Sequence, residues 1–268
     1  MSATIVWFVA LAVVTGLAFT FGRWLGSGSR QRAWMALGLG FMGLGLWAWL
    51  MRHPVVAVHM IPLSLLAHIE GTGAAPMFML VLGVVFALAQ RPRQRRVVYF
   101  AIGLGGLYFV NGGLWMLQTT PASVLGNSVQ GRVVLQTQDY SCVPAACATA
   151  LNRLGYPSSE AEMALMTQTR PGTGATVIRA LEGLRQRLAG TGVRPELVQP
   201  TYEELTAAPM PAVTALQFEA TRRHMVVLER VAAKGVLLAD PEIGEYFLDR
   251  PDFAKVYTGQ AIIFRRTR

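Results

Sequence analysis

Acyl transfer through a thiol needs a cysteine, a base, a group to orient the base and a donor for the developing oxyanion. The second half of this 268-residue chain offers Cys142, His224, Asp240 and Gln136 in positions suited to those tasks. The run from Gln136 to Ala146 reads Gln-Thr-Gln-Asp-Tyr-Ser-Cys-Val-Pro-Ala-Ala, then continues in a helical pattern to Leu154 and a stop at Gly155. Ser141 suits an N-cap, and Pro144 is tolerated in a first helical turn, where the amide proton it lacks would have no partner. Cys142 is therefore expected at a helix N-terminus, whose partial positive charge favours thiolate over thiol and makes a nucleophile. The alternative at this point is a buried structural cysteine. Cys147, roughly 140° further around the helix, cannot reach Cys142 to form a disulfide and reads as structural. Two cysteines also provide no metal framework, and no metal or cofactor is expected.

His224 is the only histidine after residue 118, so a thiol nucleophile has no other base of that type. It opens an apolar run, Met225 to Leu228; a turn follows around Ala232 to Gly235, and a second run, Val236 to Ala239, ends at Asp240 and Pro241. A hairpin of this length returns Asp240 to within a residue or two of facing His224, where a carboxylate can set the imidazole tautomer and orientation. Taken singly, a histidine at a strand edge and an aspartate before a turn are ordinary; their complementary hairpin positions point to a pair. Gln136 is placed for its amide to reach back beside the thiol. With the Cys142 backbone N–H it could form an oxyanion hole, in which losing one donor costs roughly 3 to 4 kcal/mol. Asp139 would oppose thiolate formation if it approached the sulfur, so it reads as a capping or substrate-facing residue.

The order and spacing of Gln136, Cys142, Ala145, Ala146, the helix closing at Leu154 and Gly155, His224 with Val226 and Val227, and Asp240 with Pro241 carry a resemblance. They resemble the bacteriocin-processing cysteine peptidases, the papain-like family that removes double-glycine leader peptides, over roughly residues 130 to 268. The resemblance implies Cys142 as nucleophile, His224 as general base and acid, Asp240 as orienter and Gln136 as oxyanion donor, acting on a peptide or protein substrate. It also implies an α+β fold with helices near Cys142 to Leu154, Ser159 to Met166 and Thr176 to Leu188 and a later sheet. Two features depart from the family pattern. Val143 stands where many relatives carry glycine, which keeps the backbone donors but alters local shape. Family members are often the amino-terminal part of an ATP-driven exporter, whereas the only lysines here, Lys234 and Lys255, precede no Ser or Thr, so there is no GxxxxGK[ST] phosphate-binding loop. Coupling to export would involve a separate exporter, and a double-glycine preference is a hypothesis.

Peptide-bond hydrolysis leads the readings. A catalytically silent peptide-binding module serving another membrane enzyme is the alternative, and transpeptidation on the same residues is indistinguishable from hydrolysis at this level. The polar turn Thr173 to Thr176 reads as a helix start capped by Thr176, with a substrate rim as the second reading. Arg222 and Arg223 read as a solvated edge, with attraction of an acidic substrate or membrane headgroups as the other possibility.

The elements that must carry this domain begin in a different solvent. The chain is 53% hydrophobic and 15% charged, and the apolar excess lies in the first 118 residues, where Glu70 is the only acid. Of the net charge of +9, the eight arginines of that segment, less Glu70, supply +7 and the remainder of the chain +2. Those arginines flank apolar runs, as in membrane proteins, which argues against a nucleic-acid partner and for the lipid bilayer. Ile5 to Phe21, Ala33 to Met51, Gly73 to Ala89 and Val97 to Leu117 read as spanning helices, and Val55 to Ile69, with its Pro62, as a doubtful fifth. The expected organisation is an α-helical membrane domain of four to five helices over 1–118, a linker over 119–131 and an α+β papain-like cysteine peptidase domain over 132–268.

No arginine precedes the first segment and Arg23 follows it, so it reads as a retained anchor. The basic groups Arg23 to Arg32 and Arg91 to Arg96 both favour the cytoplasm, which is satisfied only if the Val55 segment does not span. The expected protein is integral and multi-pass in a bacterial inner or plasma membrane, with the domain after Leu117 on the extracytoplasmic side. Gly38, Gly40 and Gly43 mimic a dinucleotide-binding pattern inside an uninterrupted apolar run and read instead as small residues for close helix packing. His53, His59, His68 and Glu70 lack ligand spacing and read as helix-end and packing residues.

Overall fold

The computed structural model describes residues 3–114, 126, 128–218 and 223–266. They divide into two units, Met1–Leu117 and Gln118–Arg268. Most of the expected linker, residues 119–125 and 127, lies outside the described residues.

The amino-terminal unit consists of α1 (Ala3–Gly26), α2 (Arg30–Arg52), α3 (Pro54–Met60), α4 (Leu63–Ile69), α5 (Ala75–Leu88) and α6 (Pro92–Leu114). Among the described residues, two helices are long and apolar enough to cross a membrane, Val6–Gly26 and Arg30–Arg52. The expected third span is corrected: α5 has 14 residues and at 1.5 Å per residue runs about 21 Å, short of a hydrocarbon core of about 30 Å. The doubtful fifth segment breaks at Ile61 and Pro62 into α3 and α4 of 7 residues each. Proline lacks the N–H that would continue the helical ladder, so neither piece approaches spanning length. The fourth segment begins earlier than expected, and Arg93, Arg95 and Arg96 are helical rather than part of a loop.

Close helix contact comes from missing side chains. A Cβ built on Gly22 of α1 would lie 2.2 Å from the Leu80 carbonyl oxygen of α5, and one on Gly83 of α5 would lie 2.2 Å from the Phe19 oxygen of α1. Gly26 likewise abuts Val84 and Ala87, so α1 and α5 run in the same direction. Gly40 and Gly43 of α2 meet Val81 and Met77 of α5 in reverse order, so α2 runs the other way, while Gly38 touches nothing. Gly105 of α6 meets Phe78, and Tyr99 meets Phe86, so α6 is also antiparallel to α5. In consequence the α1–α2 and α5–α6 connections, with their arginines, emerge at one end of the unit. His53, His59 and His68 each donate from Nδ1 to a carbonyl four residues back, at 2.6 to 2.8 Å.

The second unit is a six-stranded antiparallel sheet with helices. Its elements are β1 (Val129–Gln130), β2 (Val133–Val134), α7 (Cys142–Arg153), α8 (Glu160–Met166), α9 (Val177–Arg187), β3 (Val193–Val198), α10 (Tyr202–Ala207), β4 (Ala212–Gln217), β5 (Arg223–Ala232), β6 (Gly235–Asp240), β7 (Gly244–Asp249), α11 (Arg250–Val256) and β8 (Tyr257–Arg266). The sheet order is β3-β8-β4-β5-β6-β7, with β1 and β2 forming a separate small pair. The three expected helices appear within a residue or two of their expected bounds. Thr176 caps α9 by accepting from the Arg179 N–H, and Ser159 caps α8 by accepting from Glu162. One core lies between Leu216, Val226, Leu228, Val236, Leu238 and Phe253, all fully buried.

The glycine contacts yield a prediction. Gly83→Val places a side chain against α1 backbone and should destabilise the amino-terminal unit by about 1 to 3 kcal/mol, while Gly38→Ala should leave its thermal midpoint unchanged. A loss of equal size in both variants would show that the α1–α5 contact is not what holds these helices together.

Candidate active site

The sequence places Cys142 at the start of α7, and the structure sets it there, partly exposed and followed by the buried Val143 to Leu151. Ser141 occupies the N-cap position but makes no capping bond, which corrects the expected role. Its hydroxyl instead donates to the Gln138 carbonyl at 2.9 Å and accepts from the Gln138 N–H at 3.0 Å, closing the turn before the cysteine. The first-turn amides of α7 therefore have no side-chain cap. Cys147 is fully buried, and burial first, then the neighbouring Cys142 charge, push its thiol up, which keeps it an inert packing group.

His224 is the second residue of β5, opposite Leu216 of β4. Its Nε2–H donates to Asp240 Oδ1 at 2.6 Å, with both side chains almost wholly buried. The Cys142 side chain lies close enough to the imidazole to raise its pKa. Since Nε2 is committed to Asp240, Nδ1 is the atom left to serve the sulfur. Burial pushes the imidazole pKa down, but the hydrogen bond to Asp240, the nearby Cys142 side chain and the charges of both outweigh it and raise the value to about 9. Asp240 Oδ1 accepts a second bond, 2.7 Å from the Glu242 N–H, so a tight turn after β6 aims the carboxylate. Tyr246 lies near enough that burial and then the Asp240 charge push its phenol up to about 12.

The hairpin brings His224 and Asp240 together through a register shift that sequence alone does not reveal. From the turn, Ala232 pairs with Gly235, Val231 with Val236 and Arg230 with Leu237; beyond Glu229, Leu228 pairs with Leu238 and Val227 with Ala239. Glu229 is thus the extra residue of a β-bulge. Continuing the shifted register by one pair sets Asp240 opposite Val226, on the face of His224, because side chains alternate. Without the extra residue Asp240 would oppose Val227 and point to the other face. Glu229 is anchored: Arg153, in the last turn of α7, meets Glu229 at 2.6 Å and also pairs with Glu245 of β7. The helix that presents Cys142 at one end is therefore tied at its other end to the bulge that turns Asp240 toward His224.

Gln136 is held beside this pair by its backbone, whose N–H donates to the Pro241 carbonyl at 2.8 Å. Its side-chain oxygen is buried without a protein partner. The adjoining Thr137 is clamped by Glu160, a fully buried carboxylate in the first turn of α8. Glu160 accepts from the Thr137 N–H at 2.9 Å and from its hydroxyl at 3.0 Å. Sequence reasoning missed Glu160, Arg153 and Glu229; the one available signal for Glu160 was its place after Ser159, which marks only a helix start. Asp139 is exposed. Gly174, at φ +72° and with no room for a Cβ within 2.7 Å of the Tyr140 oxygen, packs the Arg170 to Gly174 turn against the residues that lead into Cys142. Arg223 is exposed, and Arg222 lies outside the described residues.

A helix presenting a cysteine against an antiparallel sheet, with a histidine and an aspartate paired on adjacent strands, makes an α/β domain. Residues 130–268 match the model of the peptidase C39 family, and the chain belongs to that family. Two uncharacterised archaeal proteins are similar to it. One from Methanothermobacter marburgensis is 31% identical over 144 residues, covering 54% of this chain and 93% of the relative. One from Methanothermobacter thermautotrophicus is 32% identical over 146 residues, covering 53% and 92%. Among solved structures, a double glycine motif protease from an AMS/PCAT transporter, determined with its leader peptide, is 21% identical with a TM-score of 0.44, covering 53% of this chain and 94% of its own. The peptidase domain of Streptococcus ComA, a bifunctional ABC transporter of a quorum-sensing pathway, is 17% identical with a TM-score of 0.45, covering 51% and 98%.

A pH dependence follows from the raised imidazole. Its contribution to folding is fully present below the ordinary value of 6.5 and is lost as pH rises through about 9. Thermal melts should therefore show a midpoint that falls across that window. Asp240→Asn, and equally deletion of Glu229, should flatten the fall; an unchanged slope in both would mean the pair is not what raises the imidazole.

Proposed function

We propose that this chain is a membrane-anchored cysteine peptidase acting through Cys142, His224, Asp240 and Gln136. The observation that carries the reading is the single imidazole shared between a buried carboxylate and a partly exposed thiol at a helix start. An imidazole that keeps its proton up to about 9 can deliver that proton to a leaving amine at neutral pH.

In the proposed reaction, Cys142 Sγ attacks the carbonyl carbon of the scissile peptide bond and the carbonyl oxygen becomes an oxyanion. The Cys142 backbone N–H and the Gln136 amide donate to that oxygen; the uncapped first turn of α7 and the clamped Gln136–Thr137 segment support this assignment. The C–N bond then breaks as His224 passes its proton to the leaving amine, leaving a thioester. Water adds to the thioester while His224 takes a proton from it, and the C–S bond breaks to release the acid and restore the thiolate. Asp240 holds the imidazole in the tautomer that presents Nδ1 to sulfur. The substrate is a peptide or protein, and a double-glycine leader is the specific class we propose.

Membrane attachment is supported by the two long apolar helices and by the apolar surface of the amino-terminal unit, where Leu39, Met42, Phe100 and Leu107 are each more than 60% exposed. Both basic connections lie at one end, which supports a cytoplasmic location for that end. We assign the residues after α6 to the extracytoplasmic side, where the substrate would be met.

Cys142→Ala should lower cleavage of a Gly-Gly-containing peptide by at least about 10³-fold. Iodoacetamide should alkylate Cys142 rapidly at neutral pH and leave Cys147 untouched. Above about pH 9 cleavage should fall as His224 loses its proton, while alkylation should not. Slow alkylation of Cys142 at neutral pH, with no cleavage, would leave a silent peptide-binding module.

A further inference from the structure

The amino-terminal unit gathers positive charge without neutralising it. Arg23 in the last turn of α1 and Arg95 in the first turns of α6 both lie over the ring of Phe86 on α5, with guanidinium carbons 5.1 and 5.6 Å from its centroid. With Thr20, Trp24, Ser27 and Phe86 they line an open cavity of about 440 Å³. Two cations gathered on one ring repel each other. A phenylalanine face offsets only about 0.5 to 1 kcal/mol for each at an exposed site. Among the described residues no carboxylate pairs with either guanidinium. Glu70, the only acid of the first 118 residues, follows α4, near the end from which α5 starts and thus away from this cavity.

The polar groups of the cavity narrow its ligand. The Thr20 and Ser27 hydroxyls already donate to the Leu17 and Trp24 carbonyls, and Arg95 Nε donates to the Ala89 carbonyl at 3.1 Å. The donors left over are guanidinium N–H groups, arranged from two helices as forks suited to an oxyanion with several oxygens. Trp24 forms a fixed wall, because Arg32 stacks 3.9 Å from the centroid of its ring and donates to its carbonyl at 2.7 Å. Exposed Phe21, Trp24 and Leu88 continue the apolar surface beside the opening, where acyl chains would lie, and exposed Tyr99 adds an aromatic ring at the same level.

We propose that this cavity binds the phosphate of an anionic phospholipid, with Arg23 and Arg95 holding the oxygens from two helices. The proposal rests on the membrane reading above. Its physical content is that a lipid anion supplies the counter-charge which the protein lacks where α1, α5 and α6 meet.

The test uses the full chain, purified in detergent and supplied with phosphatidylglycerol, phosphatidylcholine or inorganic phosphate, with bound lipid counted by native mass spectrometry and the thermal midpoint followed. Phosphatidylglycerol should be retained and should raise the midpoint, with little effect from the other two. Arg23→Gln with Arg95→Gln should weaken phosphatidylglycerol binding by roughly thirtyfold, whereas Arg91→Gln with Arg93→Gln, at the same end but not lining the cavity, should retain most of it. Helical circular dichroism equal to wild type in the lipid-free variants would show that their amino-terminal helices are folded; should the glutamine pair not fold, Arg23→Lys with Arg95→Lys keeps the charge and should still lose binding through the missing forks. Equal binding of both lipids, equal loss in both glutamine pairs, or full stabilisation by inorganic phosphate alone would overturn the proposal. Carbonate washing separates the two readings: wild-type protein released from membranes defeats both, while protein that stays in the membrane without preferring the anionic lipid defeats this one alone.

Discussion

One extra residue in β5 governs which face of the sheet Asp240 occupies, and through it whether His224 has a partner. Side chains alternate along a strand, so a shift of one position moves a group to the opposite face and no rotamer can bring it back. The bulge at Glu229 makes that shift. Arg153 fixes the bulge from the far end of the helix that begins at Cys142. Sulfur, imidazole and carboxylate thus depend on a single mechanical chain running through α7, β5 and β6.

Around that chain, buried charge is used for placement. An uncompensated carboxylate in the interior is costly, so each one found there constrains the backbone that satisfies it. Glu160 is satisfied by Thr137, and Asp240 by His224 and the Glu242 N–H. Together with the bond from the Gln136 N–H to the Pro241 carbonyl, these contacts stitch the segment leading into Cys142 to the turn that follows Asp240. In the reaction proposed above, the groups that would meet a peptide carbonyl are thereby ordered before any substrate arrives, as electrostatic stabilisation of a transition state requires.

The amino-terminal unit solves a different problem. Its helices gain little from excluding water if their surroundings are apolar, so they rely on close van der Waals contact at Gly22, Gly26 and Gly83. That contact aligns α1 with α5 and collects the arginines of two connections at one end. Aromatic rings of Trp24 and Phe86 cover part of the charge, and Arg23 and Arg95 are left without acidic partners among the described residues.

Much of the second unit was legible from residue order, because the signals were local. The start of α7 at Cys142, the cap at Thr176, and the short hairpin that returns Asp240 toward His224 all follow from spacing within a few residues or across one tight turn. The same local logic misjudged Ser141, whose hydroxyl had a nearer backbone turn to satisfy, and the third apolar segment, where a run of suitable composition ended as a helix of 14 residues. What residue order did not contain was the bulge and the partners of buried charge. Thr137 meets Glu160 across 23 residues and Arg153 meets Glu229 across 76. Such pairs exist only once the sheet has assembled beneath α7, because the cost of burying each charge, and hence the need for its partner, arises only when packing removes the water.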